Sequence, residues 1–530
     1  MLHTPRSYGG MVTAPHHLAA RAGLRVLEEG GNAIEAMVAA AAAITVVYPH
    51  MNALGGDNFW LIHTPGSEVT GIDACGAAAA LADIDYYRGQ GHKGIPSRGA
   101  KAALTVAGAV SGWEEALRFS KETWGGTMSL SRLLEDAVHY AEDGAAVTRT
   151  LAFNALIKHD ELKDAPGFID NFIIDGALPI EGQRFRQPRI AATFKRLAEH
   201  GLDDFYRGEL AREIAADLER AGSPLRLEDL ERHKALQVKP LSLRVAGHDV
   251  FNMPPPTQGL ASLLLLGVYD RLGVCVAEDF DFIHGLVEAT KRAFRIRDRY
   301  VTDPAYMDID PVNFLNGTRL DAMAADIHAE QALPWPDPVQ KGDTVWLGAV
   351  DKEGRAVSFI QSIYWEFGSG TVLENSGIMW QNRGTSFSLD PAHHNCLKPH
   401  RRPFHTIQPA MARLADGRVM SYGTMGGEGQ PQTQAMVFTR HVMYGQGLQE
   451  AVTAPRWLLG RTWGAATTNL RVENRFDPAV IQDLRNAGHD IEEIGAFDEV
   501  MGHAGALVRH PNGLIEGAAD PRGDGAAAGA

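Results

Sequence analysis

The stretch KGDTVWLGAVDKEGRAVS, which spans residues 341–358, decides the fold of this chain. Its second half predicts two strands joined by a tight turn, because residues 347–350 are apolar and the polar segment 351–354 ends in a glycine that accepts a positive φ. A second apolar run begins at Ala356. The first half is less usual, since Thr344 follows Gly-Asp at the start of a predicted strand deep inside the chain.

Thr344 has two interpretations. The commoner one for a Gly-Asp-Thr sequence is a threonine that simply starts a strand. In the other, the chain cuts itself between Asp343 and Thr344, so that Thr344 becomes a new N-terminus with a nucleophilic hydroxyl beside a free amine that serves as base. Residues 333–338, LPWPDP, have the character of an exposed linker, which a cleavage site requires.

The composition is typical of soluble globular proteins, with 45% hydrophobic and 22% charged residues. A chain of 530 residues is long enough for several domains or one large α/β body. The formal net charge of -15 argues against a nucleic-acid partner, although residues 400–402 (HRR) form a local basic cluster. The apolar run 36–48 is too short to span a membrane and predicts a buried helix.

The cysteines predict neither a disulfide framework nor a zinc site. Cys75, Cys275 and Cys396 are widely separated and form no CxxC pair, which fits a reducing compartment. The first ten residues have no signal-peptide core, so we expect a cytoplasmic protein without a membrane partner. The histidines lack metal-ligand spacing such as HExxH, and no sequence feature indicates a cofactor or a metal.

The secondary-structure pattern predicts a layered α/β body. Residues 99–330 are mainly helical in pattern, and strands dominate after Thr344. We expect a helix at 33–47 capped by Asn32. Further expected elements are a hairpin at 241–253, a helix at 260–269, a hairpin at 406–423 and a helix at 431–443.

Gly426 and Gly427 are candidates for chemistry, because two backbone N–H groups before a helix can hold a developing oxyanion. A simple turn is the alternative interpretation. A phosphate-binding loop is disfavoured, since there is no GxxxxGK[ST] pattern and Glu428 stands where a phosphate would come. Ser369 does not complete the Gly-x-Ser-x-Gly elbow of an α/β-hydrolase.

Taken together, these segments resemble the γ-glutamyltranspeptidase family. Each segment alone is a weak signal, but they occur in the family's order from about residue 12 to residue 522. The matching segments are residues 30–36, 55–57, 205–208, 254–259, 344, 350–358, 367–370, 376–378, 426–427 and 520–522.

The resemblance implies an α/β fold, the four-layer α-β-β-α sandwich of the N-terminal-nucleophile hydrolases. It implies self-cleavage into a large subunit, residues 1–343, and a small subunit, residues 344–530, which together form one folded body. Thr344 would form an acyl-enzyme that water or an amine acceptor then releases. Gly426 and Gly427 match the oxyanion-hole pair, and Ser362 matches a second hydroxyl near the nucleophile.

Four positions depart from the γ-glutamyl-binding members of the family. Cys75 stands where those members have an arginine that binds the α-carboxylate, and Tyr364 replaces an asparagine. Ser386 replaces an acid that binds the α-ammonium, and His405 with Thr406 replaces a serine pair. A thiol cannot give the paired, charge-assisted contact of a guanidinium, so a zwitterionic glutamyl group should bind much more weakly.

These departures predict a different substrate. Tyr364 and His405 are bulkier than the residues they replace, and Arg383 and His405 are potentially cationic. The predicted substrate-binding residues are Cys75, Tyr364, Arg383, His405 and Thr406. We therefore expect a small amide that carries a carboxylate and no ammonium, and the pattern is most similar to the oxamate amidohydrolase branch.

Three alternatives stay open: a γ-glutamyltransferase or glutathione hydrolase with a rearranged pocket, a glutaryl-type acylase, and an unprocessed binding protein without catalytic activity.

Overall fold

The computed structural model of the protein describes residues 3–335, 343–460 and 468–530. The strands are β1 (Arg6–Ser7), β2 (Gly10–Ala14), β3 (Asp57–His63), β4 (Thr70–Ala74), β5 (Ala145–Ala146), β6 (Arg184–Phe185), β7 (Leu236–Val238), β8 (Leu241–Val245), β9 (His248–Asn252), β10 (Asp343–Asp351), β11 (Ala356–Tyr364), β12 (Ala410–Arg413), β13 (Val419–Thr424), β14 (Trp457–Leu459), β15 (Leu470–Glu473), β16 (Ile491–Ile494), β17 (Ala504–Arg509), β18 (Ile515–Ala519) and β19 (Ala526–Gly529).

The helices are α1 (His17–Glu28), α2 (Ala33–Val47), α3 (Ile84–Arg88), α4 (Ala109–Phe119), α5 (Leu130–Asp143), α6 (Arg149–Leu162), α7 (Phe168–Phe172), α8 (Pro188–His200), α9 (Asp204–Arg207), α10 (Glu209–Ala221), α11 (Leu227–Arg232), α12 (Gly259–Asp270), α13 (Phe280–Tyr300), α14 (Gly317–Ala325), α15 (Gly429–Phe438), α16 (Leu448–Thr453) and α17 (Pro478–Asn486). No helix of the described ranges is both long and apolar enough to cross a membrane.

Two antiparallel seven-stranded sheets lie at the centre. Sheet I has the order β19-β2-β10-β11-β3-β4-β7, and sheet II has the order β1-β18-β17-β13-β12-β9-β8. Both sheets combine strands from before and after Thr344. In sheet I, β10 pairs with β2 on one side and with β11 on the other, so a strand from the second part of the chain lies beside one from the first.

The two sheets and the flanking helices form four layers with three apolar interfaces. Between the sheets, Trp346 and Ile360 of sheet I pack with Met411 and Leu507 of sheet II. Helices α1, α2 and α4 cover the outer face of sheet I, and α12 and α15 cover the outer face of sheet II. The predicted α-β-β-α arrangement is therefore confirmed, with apolar burial as its main source of stability.

Helix α2 shows how the sequence specifies this packing. Asn32 caps it by accepting the N–H groups of Ile34 and Glu35, and the Glu35 carboxylate accepts the N–H of Asn32. All fifteen residues of the helix are buried, which its many alanines allow. The N–H of Ala33 donates to Asp351 Oδ2 at 3.1 Å and so ties the helix to the β10–β11 turn.

Most predicted elements are present with shifted ends. The strand-turn-strand of the opening stretch is β10 and β11, and the expected hairpin near 241–253 is β8 and β9. The strand expected from Thr406 starts only at Ala410, because His405 and Thr406 contact the segment before α12 instead. Helix α15 starts two residues earlier than expected. The predicted linker, 333–338, lies outside the described residues from 336 onward.

Candidate active site

Thr344 lies near the start of β10, and its side chain is fully buried. Because side chains alternate along a strand, it points to the same face as Trp346, which packs between the two sheets. The pairing with β11 shifts here: Asp343 is opposite Tyr364, whereas Val345 is opposite Gln361. An advance of two residues on β10 therefore matches an advance of three residues on β11, so β11 carries one extra residue. Such a β-bulge redirects side chains and is common beside active sites.

The Thr344 hydroxyl is held by two buried polar side chains. It donates to Ser362 Oγ at 3.3 Å and accepts from Gln430 Nε2 at 3.4 Å. Ser362 Oγ also accepts the N–H of Tyr364 at 2.8 Å, and Gln430 Oε1 accepts the N–H of Gln408 at 3.1 Å. These contacts orient both partners, so the position of the nucleophilic oxygen is fixed from two sides.

Gly426 and Gly427 form the turn between β13 and α15. Their φ angles are +113° and +51°, which favour glycine and explain the Gly-Gly pair. Gln258 Nε2 donates to the carbonyl of Gly427 at 2.8 Å, and Gln258 Oε1 accepts from the buried Arg297 at 2.9 Å. The turn is thus fixed at the amino end of α15, where the helix dipole favours negative charge. Gln430, in the first turn of α15, connects it to Thr344.

A buried arginine, Arg383, is connected to Thr344 through Tyr364 and Ser362. The Arg383 guanidinium stacks on the Tyr364 ring, with 3.8 Å between its central carbon and the ring centroid. Arg383 Nη1 donates to Thr406 Oγ1 at 3.2 Å, and Nη2 has no hydrogen-bond partner among the described residues. Burial lowers the pKa of Arg383 to about 10, so the group stays charged at neutral pH. Tyr364 itself has a φ of +82°, a strained conformation of the kind found at functional sites.

His405 is not a second cation. The ring is fully buried and lies edge-on to Phe59, with ring centroids 5.1 Å apart. Burial lowers the pKa of His405 well below its usual value, and the charges of Arg383 and Arg402 lower it further. The expectation of a cationic His405 is therefore wrong, because the imidazolium would be both dehydrated and next to two guanidinium groups.

Cys75 lies beside the ion pair that Arg402, from the basic cluster 400–402, forms with Asp73. Burial, followed by the charge of Asp73, raises the pKa of the Cys75 thiol well above its usual value, so the thiol stays protonated. Asp73 Oδ1 accepts the N–H of Cys75 at 3.1 Å, and its Oδ2 pairs with Arg402 at 2.7 Å. Arg402 also pairs with Asp303, so this part of the 400–402 cluster serves internal ion pairs.

Asp57 is a buried carboxyl on the strand next to Ser362. It starts β3 directly opposite Ser362. Its Oδ1 accepts the N–H groups of Gly76 at 3.0 Å and Gly108 at 2.9 Å. Burial raises the pKa of Asp57 to about 7, although these donors, Arg383 and the Gln381 side chain lower it.

Among the described residues, one group has metal-ligand composition: His284, Glu288 and His489. The nitrogen and oxygen atoms that could bind a metal already have partners within the protein. His284 Nε2 faces the carbonyl of His328 at 2.8 Å and must carry the hydrogen, so its Nδ1 accepts from His489 at 2.9 Å. Glu288 pairs with Lys291 and an adjacent arginine. A cation would have to break these contacts and face two positive charges, so these residues do not fit a metal.

The sequence matches the γ-glutamyltranspeptidase family over residues 19–530. The chain belongs to the γ-glutamyltranspeptidase family. It is 55% identical over 520 residues to the oxamate amidohydrolase proenzyme of Klebsiella pneumoniae, with 98% of each chain covered. It is 41% identical to a glutathione hydrolase-like proenzyme of Bacillus subtilis, again with 98% of each covered. The crystal structure of a cephalosporin acylase from Bacillus halodurans matches with a TM-score of 0.92 at 34% identity, covering 100% of this chain and 97% of that one.

These matches confirm the predicted family and fold class. They also confirm the predicted enzyme class of a γ-glutamyltranspeptidase-family member, a hydrolase that acts on C–N bonds. For the site, the structure brings Thr344 and Ser362 into contact and joins Tyr364, Arg383 and Thr406 in one cluster. The roles of these residues stay predictions.

Sequence reasoning did not single out four residues that the structure places in or beside this cluster. Asp57 and Gln258 stood inside matched segments, 55–57 and 254–259, and those matches were the available signal. Gln430 follows the Gly426–Gly427 pair by one helical turn, so its approach to Thr344 depends on where α15 begins. Arg402 belongs to the basic cluster 400–402, but the sequence did not indicate its partner Asp73, since the pair joins segments more than 300 residues apart.

Proposed function

We propose that this protein cleaves itself between Asp343 and Thr344, and that Thr344 then hydrolyses a small amide with a carboxylate next to the amide carbonyl, such as oxamate. The observation that carries the substrate class is Arg383. It is buried and charged, stacks on Tyr364, and presents one Nη2 without a partner among the described residues. A carboxylate is the ligand that such a guanidinium binds most strongly.

Self-cleavage uses the Thr344 hydroxyl against its own chain. Oγ1 attacks the carbonyl carbon of Asp343, the peptide C–N bond breaks, and an ester forms between Asp343 and Thr344 Oγ1 with a free amine on Thr344. Water then hydrolyses the ester to the carboxylate of Asp343 and the hydroxyl of Thr344. Ser362 supports the first step because its Oγ accepts from the attacking hydroxyl.

The freed amine of Thr344 is the base of each turnover. An N-terminal amine ordinarily has a pKa of about 8, so a useful share is neutral at pH 7. The amine takes the hydroxyl proton, Oγ1 attacks the substrate carbonyl, and negative charge develops on the carbonyl oxygen. The N–H groups at Gly426 and Gly427 stabilise that charge. The amine proton passes to the leaving nitrogen, ammonia departs, and water releases oxalate from the Thr344 ester by the same route.

The two fragments would stay together after cleavage. Strands from residues 1–343 and 344–530 alternate within both sheets, and β10 with its Thr344 lies between β2 and β11. Separation would expose the apolar interfaces on both faces of sheet I. This interleaving supports two subunits that act as one folded body. A cytoplasmic location stays a prediction, supported by three unpaired cysteines.

The test compares substrates on purified, processed protein. Oxamate should release ammonia and oxalate, whereas a γ-glutamyl anilide and a glutaryl amide should react far more slowly. Thr344→Ala is the matched control and should release no ammonia. Rapid turnover of the anilide or the glutaryl amide without ammonia from oxamate would replace this proposal by the corresponding alternative. A single band on a denaturing gel that persists during incubation would favour a non-catalytic binding protein.

A further inference from the structure

Helix α6 exposes a row of large apolar side chains. Phe153, Leu156 and Ile157 are 50%, 62% and 47% exposed. They occupy positions i, i+3 and i+4, so they adjoin one another on one face of the helix. The opposite face, with Leu151 and Ala155, is buried against the rest of the protein. A helix that is apolar on both faces normally lies between two partners, and the described residues cover only one face of α6.

The exposed face of α6 carries a base at its start and an acid at its end. Arg149 is the first residue of the helix and Asp160 lies in its last turn, and both are exposed. An α-helix turns by about 100° per residue, so both lie on the stripe of Phe153 and Leu156, within an arc of about 60°. The helix dipole favours the reverse order, an acid in the first turn and a base in the last. The stability of the helix alone therefore does not explain these charges.

This face is complementary to a second copy of itself. In an antiparallel pair of α6 helices, a twofold axis between positions 154 and 155 places 153 opposite 156 and 149 opposite 160. Phe153 then packs on Leu156 of the second copy, and Arg149 faces Asp160 of the second copy. Each contact occurs twice, because a twofold axis exchanges the two chains. The resulting interface has an apolar centre between two pairs of opposite charge.

We propose that α6 forms the centre of a homodimer interface, in which two α6 helices pack antiparallel through Phe153, Leu156 and Ile157. A second copy of the chain fits because it brings apolar side chains and opposite charges in matching register. A lipid surface fits poorly, since acids at 160, 161 and 164 stand at the end of the helix, whereas membrane-binding helices are rich in bases. The dimer does not depend on the reaction at Thr344.

The surface beside α6 extends the interface. A stable interface covers about 800 Å² on each partner, which is more than one helix face offers. Ile180 is 68% exposed and lies in the segment next to the start of α6, where the N–H of Gly182 donates to the carbonyl of Val147 at 2.8 Å. This segment supplies further apolar area at the edge of the exposed α6 face.

Neither charge of the α6 face is held in a strong pair within its own chain. Asp160 pairs with Lys163 at 2.8 Å, but both side chains are exposed, and such pairs contribute little to stability. Arg149 is near Glu499 and Asp524 but forms an ion pair with neither. Burial raises the pKa of both carboxyls, to about 8 for Glu499, and the charge of Arg149 lowers it. Arg149 and Asp160 are therefore available to pair across the interface.

Sedimentation equilibrium of the purified protein from about 0.1 to 50 µM tests the dimer. The wild type should reach twice the chain mass of 57.4 kDa. Leu156→Asp should raise the dissociation constant by at least about 100-fold, because it places a carboxylate in the apolar centre twice. Val312→Asp replaces an aliphatic side chain that is 57% exposed elsewhere on the surface, and it should dimerise like the wild type.

Charge reversal tests the antiparallel register. Arg149→Glu and Asp160→Lys should each weaken the dimer by about tenfold, because like charges then meet at both ends of the interface. The double variant exchanges the two signs and should return to within about threefold of the wild type. Each reversal agrees with the helix dipole, so α6 itself should remain folded.

The inference is overturned if the wild type stays monomeric at about 50 µM, or if Leu156→Asp dimerises as well as the wild type. A double charge variant that stays as weak as the single ones contradicts it too. A monomer that binds anionic lipid vesicles would assign the face to a membrane instead. Should Leu156→Asp not fold, as judged by circular dichroism, the charge variants decide. Ammonia release from oxamate enters none of these measurements, so failure of the proposed function is seen separately.

Discussion

The central guanidinium carbon of Arg383 lies 3.8 Å from the centroid of the Tyr364 ring, and both side chains are buried where β11 ends. The ring covers one face of the guanidinium and leaves its edge for a ligand. Tyr364 is also connected to Thr344, because its backbone N–H donates to Ser362 Oγ, which accepts from the Thr344 hydroxyl. The proposed binding of a substrate carboxylate by Arg383 leads to the first prediction.

Arg383→Gln should reduce kcat/KM for oxamate by about 10- to 100-fold, mainly through KM, because a charge-assisted contact to the carboxylate is lost. Arg383→Lys should fall between this variant and the wild type, since an ammonium gives neither the planar stack on Tyr364 nor a paired contact. Self-cleavage should continue in both variants. Arg212→Gln, on the exposed side of α10, serves as control. Unchanged kinetics in Arg383→Gln would remove this residue from the substrate site.

The second prediction concerns Thr344. Thr344→Ala should remain one chain on a denaturing gel, because no hydroxyl can attack the carbonyl of Asp343. Thr344→Ser keeps the hydroxyl and should still yield two fragments, more slowly because the methyl group that helps fix the rotamer is lost. N-terminal sequencing of the smaller fragment checks the position. A fragment that starts at any residue other than 344 would show that the cleavage site is misplaced.

For Ser362, we expect an effect on both cleavage and turnover. Ser362→Ala removes the acceptor of the Thr344 hydroxyl and should slow both reactions by about 10- to 100-fold. Ser358→Ala is the matched control, since Ser358 is a buried serine on the same strand that contacts Trp346 instead. The time course of fragment formation and kcat are the two readouts. Equal slowing by both variants would mean a general loss of β11 packing rather than a role for Ser362.

How far the sequence predicted the site depends on how local each contact is. The strands β10 and β11 follow from the strand-turn-strand pattern of the opening stretch, and the cap of α2 by Asn32 follows from its neighbours. These features were predictable because alternation and capping are local rules. Ser362 as a partner of Thr344 was indicated only by the resemblance to the family.

Long-range contacts were not predictable in this way. Asp57 and His405 are brought together by the order of strands in sheet I and by the path before α12, and no local pattern encodes either. The charge of His405 depends on burial and on Arg402, which belongs to a separate ion-pair group. The sequence indicated two potentially cationic residues, and the lowered pKa of His405 favours Arg383 as the charged one.

Acid stability provides a fourth prediction, from a buried charge cluster near the C-terminus. Burial raises the pKa of Asp520, but Arg456 and Arg522 lower it more, to about 2. Since the folded pKa is below the unfolded value of about 3.9, this pairing stabilises the fold above about pH 4 and is lost as pH falls toward 2. The contribution at pH 7 is about 2 kcal/mol.

Asp520→Asn should therefore be less stable than the wild type at pH 7, and the difference should shrink below pH 4. Urea unfolding at pH 7, 4 and 2.5 measures this. Asp416→Asn removes an exposed pair with Arg418 and should change stability by less than about 1 kcal/mol. A constant difference between Asp520→Asn and the wild type at all three values would contradict the assigned charge state.

The central claim is that Thr344 carries the acyl group of a small carboxylate-bearing amide, and the mass of the acyl-enzyme tests it most directly. Processed protein is mixed with oxamate, quenched in acid within the first turnovers, and both fragments are weighed by mass spectrometry. We predict a smaller fragment, residues 344–530, heavier by one oxalyl group located on Thr344. Ammonia release with an unmodified Thr344, or an oxalyl group on any other residue, would contradict the account.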